Sequence, residues 1–94
     1  LLLSHFGRPK GMHSHEFSLI KVVHPLHEVL GRWVGFLPDC IGDAVVAESL
    51  GLEDGSVTVL ENTRFHPGEE KNDPTFVSEL ARLGDFYVND AFSA

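Results

Sequence analysis

Two arginines stand where apolar stretches run out. Arg8 lies in Ser4-His5-Phe6-Gly7-Arg8-Pro9-Lys10-Gly11, directly after Leu1-Leu2-Leu3. Arg64 lies in Glu61-Asn62-Thr63-Arg64-Phe65-His66, directly after Val57-Thr58-Val59-Leu60. A guanidinium is permanently charged and offers five donors in a planar fork, so two of them at one edge suit a phosphate or a carboxylate. His5 can donate from a ring nitrogen, and Gly7 lets the backbone approach an anion closely. A hydrogen bond to a charged partner contributes about 1.5–3 kcal/mol, so two forked contacts would dominate the orientation of a small acidic ligand.

The other reactive groups carry less. His13-Ser14-His15 has a spacing seen in metal ligands but lacks a third one, and reads as a solvated loop. His66-Pro67-Gly68-Glu69-Glu70 lacks the His-Glu-x-x-His order of a metalloprotease helix. Cys40 has no recognisable activating base and reads as a small packed residue. No Gly-Lys-Ser/Thr follows Gly7 or Gly11, so the opening loop is not a nucleotide phosphate loop. Asp90 leaves a structural and a functional reading equally open. No metal site is expected, and no catalytic group beyond the arginine clamp.

Composition narrows the field of partners. The chain has 94 residues and a formal net charge of -7, which argues against general nucleic-acid binding and against an anionic membrane surface. A pair of arginines is more informative in such a chain than in a basic one. Its single cysteine excludes an internal disulfide and suits a reducing cytosol. No run approaches the roughly 20 apolar residues of a membrane span. A chain of this size buries only about 60–65% of its unfolded surface, so its core is marginal.

The elements that must position the arginines follow a repeating order. Strand signals at 33–38 and 57–60, and again at 85–89, alternate with helical patterns at 18–30, 41–50 and 74–83. The opening leucines add a further strand. Asp39 is a plausible cap for 41–50; Asp73 caps the last helix, Pro74 fits its first position, and Gly84 ends it in a left-handed turn. In 18–30, Ser18 is a cap and Phe17 can staple against Val22. Residues 19, 22, 23, 26, 29 and 30 form the apolar face. Pro25 in its middle predicts a kink or a late helix start. The alternation predicts βαβ units, a parallel sheet and right-handed crossovers. Ligands of such sheets bind at the carboxyl ends of the strands, where both arginines fall. The chain opens within a strand and stops within a loop, as an excerpt of a longer protein would.

Four stretches in register carry a family likeness: LLLSHFGRPKG, DCIG, VLENTRFHPGEEKNDP and LGDFYVNDAFSA. Together they resemble the N-terminal domain of the phosphoglycerate kinase family in its bacterial type, over nearly the whole chain. The resemblance implies an α/β, Rossmann-like three-layer αβα domain with a parallel sheet. Residues 1–94 would form an incomplete N-terminal domain of about four strands and three helices. It implies reversible phosphoryl transfer between ATP and 3-phosphoglycerate, giving 1,3-bisphosphoglycerate, in a cytoplasmic, monomeric glycolytic enzyme. His5, Phe6, Gly7 and Arg8 match the family's first substrate-binding segment, and Arg64 matches the arginine of its Leu-Glu-Asn-x-Arg-Phe segment. The resemblance assigns Mg-ATP or Mg-ADP to the C-terminal nucleotide-binding domain, which is absent here, so the chain alone is expected to bind no cofactor and to transfer no phosphoryl group.

Departures touch the helices rather than the site. Pro25 replaces an ordinary helix residue and Lys21 a common proline. The family's Asp-x-Asn-Val-Pro loop and its downstream His-Arg pair are missing. Without its opening strand the sheet exposes an edge and apolar surface, so the isolated chain is expected to be poorly soluble or only partly folded. The alternative is a stand-alone α/β module that binds a small anion without catalysis.

Overall fold

The computed structural model describes residues 1–90. Two short strands, β1 (Val34–Leu37) and β2 (Val57–Leu60), pair in parallel with Val34 opposite Val57 and Leu37 opposite Leu60. Among the described residues four α-helices accompany them: α1 (Val23–Leu30), α2 (Asp43–Leu50), α3 (Gly68–Lys71) and α4 (Pro74–Ala81). On the far side of β2 the chain start runs parallel to it. Leu2 donates its N–H to the Thr58 carbonyl at 2.8 Å and accepts from Leu60 N–H at 3.0 Å. The opening strand is thus reduced to one bridging residue.

Alternation of side chains along the strands splits the core into two layers. Val34 and Val59 face one side, where they meet buried Leu19, with Val23 and Leu26 of α1 packed around them. Leu37 and Leu60 face the other side and meet Cys40, Val45 of α2 and Phe76 of α4. Helices therefore cover both faces of a parallel sheet, as in an incomplete αβα domain. Leu60 is fully buried, and truncating such a leucine costs about 2–5 kcal/mol.

Local sequence explains most boundaries. The region from 18 begins as a 3-10 turn, Leu19–Val22, capped by the Ser18 hydroxyl, which accepts from Ile20 N–H at 3.2 Å. The α-helix starts only at Val23, so Pro25 falls among the first residues, whose N–H groups need no helical acceptor. This is the late start that Pro25 predicts. The tighter 3-10 turn, about 3.0 residues per turn against 3.6, also breaks the uniform apolar face. Leu19 is buried and Val23 and Leu26 pack, whereas Val22, Val29 and Leu30 are exposed. Gly31 then ends α1 at φ 65, a left-handed conformation that glycine adopts without strain. Asp73 caps α4 by accepting from Thr75 N–H, with Pro74 in the first turn.

Three expectations are corrected. Asp39 does not cap the 41–50 helix. Gly42 precedes α2, and the Asp39 carboxylate accepts instead from Cys40 N–H at 2.7 Å. Gly84 makes no left-handed stop, because α4 ends at Ala81 with Arg82 still right-handed. No strand forms at 85–89, and Phe86 is 96% exposed with Tyr87 and Val88 nearly as open. An apolar alternating run becomes a strand only against a partner's backbone, and 85–89 has no ladder among the described residues. The end of the NDAFSA motif, 91–94, lies outside the described residues.

Candidate functional site

Asn62 brings the two arginine-bearing loops together. Its side chain is fully buried just beyond β2. The Oδ1 atom accepts from Phe6 N–H at 3.3 Å and from Arg64 N–H at 3.0 Å. Its Nδ2 donates to the carbonyls of Phe6 and Phe17, each at 2.9 Å. One amide thus ties the Ser4–Arg8 loop, the segment before α1 and the Arg64 turn to one another. Thr63 adds two bonds to the Ser4 carbonyl, from its N–H at 3.0 Å and its hydroxyl at 3.1 Å.

Glu61 anchors this junction from below. It is almost fully buried, and its carboxylate accepts from the Ser18 hydroxyl at 2.6 Å and from the N–H groups of Leu19 and Asn62, both at 2.8 Å. Imidazole Nε2 of His13 stands 3.8 Å from the same carboxylate, with its ring against Phe65. A buried carboxylate is tolerated when several donors point at it, and here they do. Glu61 and Asn62 belong to the Leu-Glu-Asn run that precedes Arg64, yet charge placement alone singles out the arginine. What betrays Glu61 and Asn62 in sequence is a polar pair directly after a buried apolar strand, where side chains must find internal partners.

The expected site residues differ in how they are held. Arg64 follows in a 3-10 turn, Thr63–Phe65, and its Nε donates to Glu69 Oε2 at 2.8 Å. The two side chains are only 24% and 23% exposed. Neither terminal Nη of Arg64 has a partner among the described residues. Arg8 is exposed and has no hydrogen bond or ion pair among the described residues, and the His5 imidazole is equally uncommitted. The Phe6 ring is half exposed and leans on Phe17 at a centroid distance of 6.0 Å. Gly7 has a packing reason of its own. At φ 66 it is left-handed, and a Cβ there would lie 2.5 Å from the Phe17 ring.

A second cluster lies beside the first. His66 Nε2 is 2.7 Å from Asp39 Oδ1, and Cys40 Sγ lies near both, all three within 4.8 Å. Burial, and then the Asp39 charge, push the Cys40 thiol up to about 12. A neutral thiol beside an already hydrogen-bonded carboxylate is a packed junction rather than a poised nucleophile. It ties the end of β1 to the turn after Arg64.

The family model described as phosphoglycerate kinase matches residues 1–94. Curated relatives named phosphoglycerate kinase include one from Brucella suis biovar 1 (strain 1330) at 63% identity, one from Sinorhizobium medicae (strain WSM419) at 56% and one from Zymomonas mobilis subsp. mobilis at 55%. Each similarity covers 100% of the chain but only 24% of the relative. The chain spans about a quarter of the length of the curated relatives it matches.

Proposed function

Because the chain belongs to the phosphoglycerate kinase family, we propose that it supplies the acid-binding side of a kinase that moves a phosphoryl group reversibly between ATP and 3-phosphoglycerate. Arg8 and the Nη edge of Arg64 grip the acidic three-carbon substrate, assisted by His5, Phe6 and Gly7. The supporting observation is Asn62, which joins the two loops by hydrogen bonds to Phe6 and Arg64. Phosphoryl transfer asks a protein chiefly for positioning and for positive charge around the transferred group. A guanidinium three-quarters buried, with one side fixed, meets both demands, and the exposed Arg8 adds positive charge in an otherwise acidic chain.

The nucleotide and its Mg2+ are held by the parts of the kinase beyond this chain. Mg2+ takes oxygen ligands in octahedral geometry, whereas Asp39, Cys40 and His66 offer a thiol, an imidazole and a carboxylate already in use. That set does not fit the metal, and no step passes through it. The enzyme acts in glycolysis, as a monomer in the cytoplasm, and takes neither nucleic acid nor membrane as partner. No helix among the described residues is long and apolar enough to cross a membrane.

The test is a full-length phosphoglycerate kinase carrying these residues in place of its own. Removing one or two charged hydrogen bonds costs about 1.5–3 kcal/mol each, so Arg8→Ala and Arg64→Ala each raise KM for 3-phosphoglycerate about tenfold or more. KM for ATP stays within about twofold, because the nucleotide is bound elsewhere. Equal losses for both substrates would overturn the reading.

A further inference from the structure

We infer that Glu69 is a positioning residue for Arg64, fixing the guanidinium so that only its Nη edge is presented to the acidic substrate. The inference rests on the proposed role of Arg64 and adds to it a second residue and a direction of approach. Nε of Arg64 donates to Glu69 Oε2 at 2.8 Å, and both side chains are three-quarters buried. A guanidinium offers two useful edges to an anion, one using Nε with an Nη and one using both Nη groups. Glu69 occupies the first. The second has no partner among the described residues.

Both ends of this pair are themselves held. Arg64 N–H donates to Asn62 Oδ1, which fixes the backbone from which the side chain starts. Glu69 sits in α3, its N–H bonded to the His66 carbonyl at 3.1 Å, and His66 is in turn paired with Asp39. The arrangement has a cost in charge, since Glu69 offsets the positive field of Arg64. That cost is acceptable only if orientation matters more than net attraction, and the exposed Arg8 restores the charge. Arginine at 64 is then not replaceable by lysine, which has no Nε–H to give Glu69 and no second edge.

The experiment is a double-mutant cycle in the full-length kinase carrying these residues, read as KM for 3-phosphoglycerate and for ATP. Loss of one charge-assisted contact that orients Arg64 predicts that Glu69→Ala raises the acid KM about tenfold and leaves ATP KM within about twofold. Glu69→Gln keeps an oxygen for the Nε–H and stays within about threefold of the parent. In an Arg64→Lys background, Glu69→Ala adds less than about twofold, because nothing is left to orient. As an independent readout, the Arg64 Nε–H signal in NMR is slow to exchange in the parent and in Glu69→Gln, and is lost in Glu69→Ala. An unchanged acid KM in Glu69→Ala, its full effect retained on Arg64→Lys, or both KM values rising together would overturn the inference. If Glu69→Ala does not fold, a tenfold loss in the folded Glu69→Gln with an intact Nε–H signal overturns it as well. An unchanged acid KM in Arg64→Lys would overturn it too, whereas an unchanged acid KM in Arg64→Ala would instead refute the role of Arg64 itself.

Discussion

Replacing Asn62 by alanine and by aspartate separates a hydrogen-bonded junction from mere filling. The side chain makes four hydrogen bonds, two as acceptor from Phe6 and Arg64 and two as donor to the carbonyls of Phe6 and Phe17. Neutral bonds contribute about 0.5–1.5 kcal/mol each, giving a range of about 2–6 kcal/mol for all four. None of the three bonded residues, Phe6, Phe17 and Arg64, is fully buried, so their freed groups recover water when the amide is removed and Asn62→Ala is expected to cost about 2–4 kcal/mol. Asn62→Asp has nearly the same shape but puts a second oxygen 2.9 Å from two carbonyl oxygens where a donor stood. Aspartate is therefore expected to cost at least as much as alanine. Urea unfolding of the kinase carrying these residues gives the two differences, and amide exchange at Phe6 and Arg64 reports whether the loops part locally. An aspartate variant milder than alanine, or losses below about 1 kcal/mol for both, would refute the reasoning.

Other perturbations reach the same neighbourhood. Gly7→Ala forces a Cβ into the Phe17 ring at a left-handed backbone position, so it is expected to lower the thermal midpoint by several degrees and to raise the acid KM, both measurable on one sample. Cys40, raised from an ordinary 9.0 to about 12 by burial and by Asp39, is held neutral in the fold. Its contribution is fully present below pH 9 and is lost as pH climbs toward 12. Alkaline unfolding should thus shift to higher pH in Cys40→Ser, and alkylation of native protein at neutral pH should be slow against the unfolded chain. Glu61→Ala strips three donors of their acceptor and is expected to cost about 3 kcal/mol or more by denaturant unfolding.

How far the sequence discloses this arrangement depends on what each residue answers to. Asp73 and Pro74 act within one turn of chain, and the capped start of α4 appears where they imply it. Pro25 likewise sets the late start of α1 through its own missing N–H. The apolar run at 85–89 answers to a partner strand instead, and composition does not say whether one is present. Asp39 shows the same limit: as a short acid before a helix it suits a cap, but a histidine 27 residues later competes for its carboxylate. Arg64 is conspicuous because it breaks an acidic pattern. Its supports, Asn62 and Glu69, are ordinary polar residues whose bonds reach Phe6, 56 residues away, and the Arg64 side chain. Neither pairing leaves a periodic trace.

The central claim is that Arg8 and Arg64 meet one anion. It is tested most directly by titrating 3-phosphoglycerate into the full-length kinase with arginine guanidinium groups labelled for NMR. Both guanidinium signals are predicted to shift along one saturation curve with a single Kd. A shift at only one of the two, or two curves with different Kd values, would contradict it.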